Sequence, residues 1–287
     1  MECIDFDGYF AEFVSDWVDQ HTEDYRNADE MEADMPRIYT RFLNTPATWL
    51  DGFTPGSYFT QFEDPKELVD WLQAYCEQAI SVPEVLLEQI QNVGKPCEKR
   101  LVALLKDEEA DEDARMTAVG MLGDIGSEQP KLLYIQWQLN REEQDELADN
   151  AIDSLAEMGK AVVQPILELL PKANQAGQVA LLDVLVRHPG DDRIYRLAER
   201  LFRENPQGRA LFASYLGKLG DERALPVLLE AANDPRTGYI DYIELRSAIE
   251  ALGGEAPERE FEDDPAYEAL GALNPEGVPM EVWMPKR

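Results

Sequence analysis

From residue 82 onward the apolar positions of this chain recur in fixed relation to a series of glycines. Gly94, Gly126, Gly159, Gly190, Gly220 and Gly253 are separated by 32, 33, 31, 30 and 33 residues. Apolar residues stand eight and four positions before each: Leu86 and Ile90, Ala118 and Leu122, Ala151 and Leu155, Leu182 and Val186, Phe212 and Leu216, Leu245 and Ile249. An i, i+4 spacing puts both members of a pair on one helix face. A glycine after the last periodic residue is the expected helix stop, because it enters the left-handed region without a Cβ clash.

A second, shorter helical run follows each of the first five stops: Glu98 to Leu105, Lys131 to Leu139, Val162 to Leu170, Arg193 to Phe202 and Ala224 to Ala232. Pro165 and Pro226 each lie six residues after their glycine, early in the second run, where a missing N–H costs least. Each unit therefore reads helix, tight turn, helix. One such pair of about 30 residues cannot bury its own apolar face and must stack on neighbours.

Two stretches carry a family resemblance. Asp113 to Gly126 (DARMTAVGMLGDIG) and Arg209 to Gly220 (RALFASYLGKLG) both place an arginine eleven residues before the glycine. They resemble the first helix of the HEAT-like repeat family, in the short form named after phycobilisome lyases. The resemblance spans residues 82 to 253 and implies an all-α solenoid of about five to six helical pairs. Two departures are expected: the fourth first-helix stops early at Pro189, and the acidic stretch from Gly254 to Asp264 replaces a second helix in the sixth unit.

The ends differ from the repeats. Residues 1–80 hold 15 of the 26 aromatic residues, with 18 acids against 4 bases, and read as a helical N-terminal cap or a small domain before the repeats of 81–253. Phe6, Phe10, Phe13 and Trp17 fall on one helical stripe, and residues 22–34 read as a solvated loop or a locally disordered link. Thr54-Pro55 and Asp64-Pro65 are cap-then-proline starts for two short helices. The second carries Leu68, Trp71, Leu72 and Tyr75 on one face. Residues 254–287 form an acidic C-terminal cap, with a short helix opening at Pro265 and a tail whose Trp283 is expected to dock.

Composition narrows the function. The 58 acidic against 26 basic residues give a net charge of −32, which argues against binding nucleic acid or an anionic membrane through a general basic face. No apolar run approaches the length of a membrane span. Cys3, Cys76 and Cys97 are an odd number at wide spacing, which fits buried thiols in a reducing cytoplasm. His21 and His188 sit in unrelated segments, and no phosphate loop, nucleophile elbow or zinc spacing is present. The run Asp107 to Asp113 lacks the glycine turn of a calcium loop and reads as an inter-repeat link. No cofactor or metal site is expected.

One feature rises above this background. Arg193, Arg196, Arg200 and Arg203 form a stripe along one helix, with Ile194, Leu197, Ala198, Leu201 and Phe202 on its apolar face. Arg187 and Arg209 flank it. The resemblance places the second helix of each pair on the concave surface, so the stripe would lie in a groove. Arginine forks suit carboxylates and phosphates. Tyr134 and Trp137, on the equivalent helix two units earlier, extend the same groove or belong to the core.

The leading expectation is a non-enzymatic scaffold or adaptor that binds another protein along its concave face, docking an acidic or phosphorylated segment of that partner. An enzyme or lyase-type subunit on the same scaffold, and an acidic mimic of nucleic acid, are the alternatives.

Overall fold

The computed structural model describes residues 1–21, 25–142, 145–261 and 264–273, the last four of these by backbone alone. The fold is all-α, and no strand occurs among the described residues. The helices pack as neighbouring pairs that form two compact units, Met1–Trp137 with Glu142–Met158 and Gln138–Arg141 with Gly159–Arg287.

The first unit begins with α1 (Phe6–His21) and α2 (Ala28–Leu43). Part of the loop expected at 22–34 is therefore helix. The reason is a reciprocal cap: the Asn27 side chain accepts from the Glu30 N–H at 2.9 Å, and the Glu30 carboxylate accepts from the Arg26 N–H at 3.0 Å. Acids in the first turn, Asp29 and Glu30, also favour the helix N-terminus. Of the aromatic stripe, Phe6 and Trp17 are buried, whereas Phe10 and Phe13 are half-buried against Phe42. Trp17 donates to the Tyr25 hydroxyl at 3.1 Å, which donates to Asp34 at 2.6 Å, so this relay ties α1 to α2.

Tight 3-10 turns over Thr48–Leu50 and Pro55–Gln61 lead to α3 (Pro65–Glu77), whose start is capped by Asp64. Its Leu68, Trp71, Leu72 and Tyr75 are all buried, as their shared face predicts. The Tyr75 hydroxyl accepts from the Ile4 N–H and donates to the Ile4 carbonyl, pinning the N-terminal segment. The unit continues through α4 (Glu84–Val93), α5 (Glu98–Lys106), α6 (Glu112–Asp124), α7 (Lys131–Leu139, whose last two residues group with the second unit) and α8 (Glu146–Glu157). The cap helix α3 packs on α4, α5 and α6.

The second unit holds α9 (Val163–Leu169), α10 (Gln175–Leu185), α11 (Asp192–Glu204), α12 (Arg209–Leu219), α13 (Leu225–Asn233), α14 (Tyr239–Ala251) and α15 (Pro265–Leu273). Helix α10 ends ahead of Pro189, as expected. Helices α12 and α14 approach closely because Gly217 has no side chain: a Cβ there would lie 3.0 Å from the Ala248 Cα. Residues 254–261 form no helix but are anchored. Arg259 donates to the Ala232 and Asp234 carbonyls at the end of α13, and its guanidinium lies 4.7 Å from the Phe261 ring. The tail with Trp283 lies outside the described residues.

The repeat pattern survives in full. All six spaced glycines have positive φ, between 63° and 117°, and all twelve paired apolar residues are buried. Gly220 illustrates the cause: it closes α12 in the left-handed region at φ 68°, ψ 20°, which a residue with Cβ adopts only at a cost.

Candidate functional site

Helix α11 owes its position to a strong division of its faces. Ile194, Leu197, Ala198, Leu201 and Phe202 are buried, as predicted, and Tyr195 joins them. Asp191 starts the helix by accepting the Arg193 N–H at 2.9 Å. The Arg193 guanidinium folds back on the same carboxylate, Nε to Oδ1 at 3.0 Å and Nη2 to Oδ2 at 2.7 Å. These hydrogen bonds hold the Asp191 pKa down to about 2, Arg193's side chain contributing most and its backbone N–H next.

Every arginine of the stripe is exposed, and each is matched to a carboxylate. Arg196 reaches Asp192 at 2.6 Å, Arg200 reaches Glu204 at 3.2 Å, and Arg203 reaches Glu199 at 2.9 Å. The partners sit one turn away on the same helix, the geometry in which such pairs form readily and are screened by salt. Arg200 also donates to Gln178 of α10 at 2.7 Å. Arg196 is the most exposed of the four, its side chain 76% accessible. Exposed pairs of this kind hold their partners weakly, so an incoming anion can exchange with them.

An arginine that the stripe pattern missed completes this surface. Arg223 bridges Asp221 at 2.6 Å and Asp192 at 2.8 Å, and its guanidinium lies 4.2 Å from the Tyr195 ring centroid. Hydrogen bonds from Arg223 lower the pKa of both Asp221 and Asp192. Its signal was present in the chain: Gly190-Asp191-Asp192-Arg193 and Gly220-Asp221-Glu222-Arg223 share one register, and each arginine reaches back to the preceding repeat. Arg193 reaches Gln164 as Arg223 reaches Asp192.

The aromatic pair expected to extend the groove divides. Tyr134 is fully buried, so its place in the partner-binding set is corrected: it packs in the core of the first unit, because α7 turns that face inward with Ile135. Burial raises its phenol pKa, and its hydroxyl has no hydrogen-bond partner. Trp137 remains half-exposed, with the Arg115 guanidinium 5.7 Å from its ring.

The three cysteines, His21 and the acidic run 107–113 are held in ordinary structural roles. Burial, reinforced by Asp111 and Asp113, pushes the Cys76 thiol up to about 11, and burial raises Cys3 and Cys97 as well. All three thiols are therefore poor nucleophiles at neutral pH. His21 stacks on Trp17 at 3.8 Å, with its ring nitrogen 2.8 Å from the Trp17 carbonyl. In the run 107–113, Asp111 caps α6 through the Asp113 and Ala114 N–H groups. Among the described residues no group of three His, Cys, Asp or Glu side chains could hold a metal ion, and no helix is long and apolar enough to cross a membrane.

Residues 209–234 match the family model of the PBS lyase HEAT-like repeat. That segment is the α12–α13 pair with its Gly220 turn, and it lies within the stretch whose residues carry the resemblance. No curated protein matches the chain.

Proposed function

We propose that this helical-repeat protein is a non-enzymatic scaffold that binds another protein through the exposed face of α11. Arg196, Arg200 and Arg203 make the principal contacts, Arg193 adds to them, and Trp137 is an accessory surface on the first unit. The preferred ligand is an acidic or phosphorylated segment of the partner. The observation that carries this reading is the row of four exposed arginines, each paired with a surface carboxylate, on a chain of net charge −32. Stacked helical pairs supply the rest: they display long rows of side chains and need no deep pocket.

The test is capture from native lysate at low salt, comparing wild type with Arg196→Glu plus Arg200→Glu by quantitative mass spectrometry. A partner retained by wild type and lost by the double variant is the expected result. The variant should keep its melting temperature to within about 2 °C, since exposed ion pairs add little to stability. Equal recovery from both proteins removes the α11 face from the binding site.

A further inference from the structure

The basic face of α11 does not simply end in solvent. Arg200, besides meeting Glu204, leans across to Gln178 on α10. One turn before Gln178 and one turn after Arg200 lie Gln175 and Glu204, and these two open a cleft of about 580 Å³. Val179, Pro206, Leu211 and Phe212 line its interior. Phe212 is nearly fully buried, whereas Leu211 is 43% exposed. A hydrogen bond between Gln175 and Asn205 joins the two walls. An apolar cleft thus begins within a turn of the arginine row and shares Glu204 with it.

Building on the binding role proposed above, we infer that the acidic segment also carries one large apolar side chain, of leucine or phenylalanine size, that seats in this cleft. Its acidic groups are carboxylates in a row. Each arginine of α11 is drawn to a separate carboxylate, and the arginines advance along the helix by about 1.5 Å per residue, so they do not converge on one point as a phosphate dianion requires. A row of carboxylates can replace Asp192, Glu199 and Glu204 one for one. Arg196 to Arg203 covers about 10 Å, which an extended peptide spans in three to four residues at about 3.3 Å each. The anchor then follows within roughly three residues of the acids. An apolar anchor in a desolvated pocket beside a charged rim is how a few residues come to dominate binding.

The test uses fluorescein-labelled peptides of about ten residues: four glutamates, a short Ser/Gly spacer and a terminal phenylalanine, made in both chain orders. Control peptides have serine in place of phenylalanine, and binding to the full chain is read by anisotropy at low salt. Wild type should bind the phenylalanine peptide about tenfold more tightly than the serine control. Leu211→Gln should abolish that advantage and leave the serine peptide's affinity unchanged, and Val179→Asn on the other wall should act alike. Arg196→Glu plus Arg203→Glu should lose both peptides. Equal affinity of the two peptides for wild type overturns the anchor cleft while leaving the arginine face standing, and absence of binding to either overturns both.

Discussion

The first unit holds 36 acidic residues against 10 basic ones, a net charge of −26, and the second holds 22 against 16, a net charge of −6. Both are built from helical pairs turned by positive-φ glycines, so the difference lies on the surface. Among the described residues the first unit has four ion pairs and the second nine. The repeat framework constrains the buried positions and leaves the exposed ones free to diverge. A row of arginines is therefore informative on α11, where no packing requirement explains it.

The largest expected effects test whether the two units are separate in stability as well as in packing. Leu122→Ala in the first and Leu216→Ala in the second each remove a buried side chain and should cost about 2–5 kcal/mol. Hydrogen exchange should show the loss of protection concentrated in the unit that carries the substitution. Equal loss in both from either change would break the comparison.

Two glycines inside helices should move in opposite directions. A Cβ on Gly177 of α10 would overlap the Gln138 carbonyl oxygen, far inside van der Waals contact distance, so Gly177→Ala should destabilise by about 1–3 kcal/mol. Gly120 of α6 is exposed with nothing near its missing Cβ, and Gly120→Ala should stabilise by about 0.4–1 kcal/mol. Chemical denaturation of the two variants measures both, and a shared sign would remove packing as the explanation.

Salt should sharpen the contrast in charge. Raising ionic strength from about 0.01 to about 0.15 M shortens the screening length from about 30 to about 8 Å. The first unit, dominated by like charges, should become more resistant to heat by exchange-resolved unfolding. The second, whose charges are largely paired, should change little or weaken. The reverse order would mean that net charge is not what distinguishes them.

The smallest effect is acid sensitivity of the second unit. Asp191, Asp192 and Asp221 have pKa values depressed below the usual carboxylate range by their arginines. A carboxyl group that is more acidic when folded contributes stability that is fully present above its unfolded value, near pH 4. That contribution is lost as pH falls through the folded value, about 2 for Asp191. Asp191→Asn keeps a good helix cap but removes the charge. It should flatten the pH dependence of α11 protection between about pH 4 and pH 2, and an unchanged slope would take the Asp191–Arg193 pair out of the account.

The repeat was legible because it rests on local rules. The glycine stops need only backbone sterics, and the buried pairs such as Leu86 with Ile90 need only the 3.6-residue period. The buried face of α11 was legible for the same reason. Other features needed more than the apolar period. The start of α2 at Ala28 turned on a reciprocal cap between Asn27 and Glu30, hidden within a run whose polarity reads as loop. Tyr134 and Trp137 stand three residues apart on one short helix, yet one is enclosed and the other half-exposed. Arg223 became part of the α11 surface only by reaching back across a repeat boundary to Asp192.

The sequence by itself determined the all-α repeat, the places where its helices stop, and which residues of each helix turn inward, because periodicity and glycine conformation act within a few residues of chain. The tertiary structure alone decided that Arg223 pairs with Asp192 across a repeat boundary, that Tyr134 is withheld from the surface, and that an apolar cleft adjoins the arginine row. The Arg223–Asp192 pair and the Gln175–Asn205 hydrogen bond across the cleft join residues 31 and 30 positions apart, brought together only when one helical pair stacks on the next.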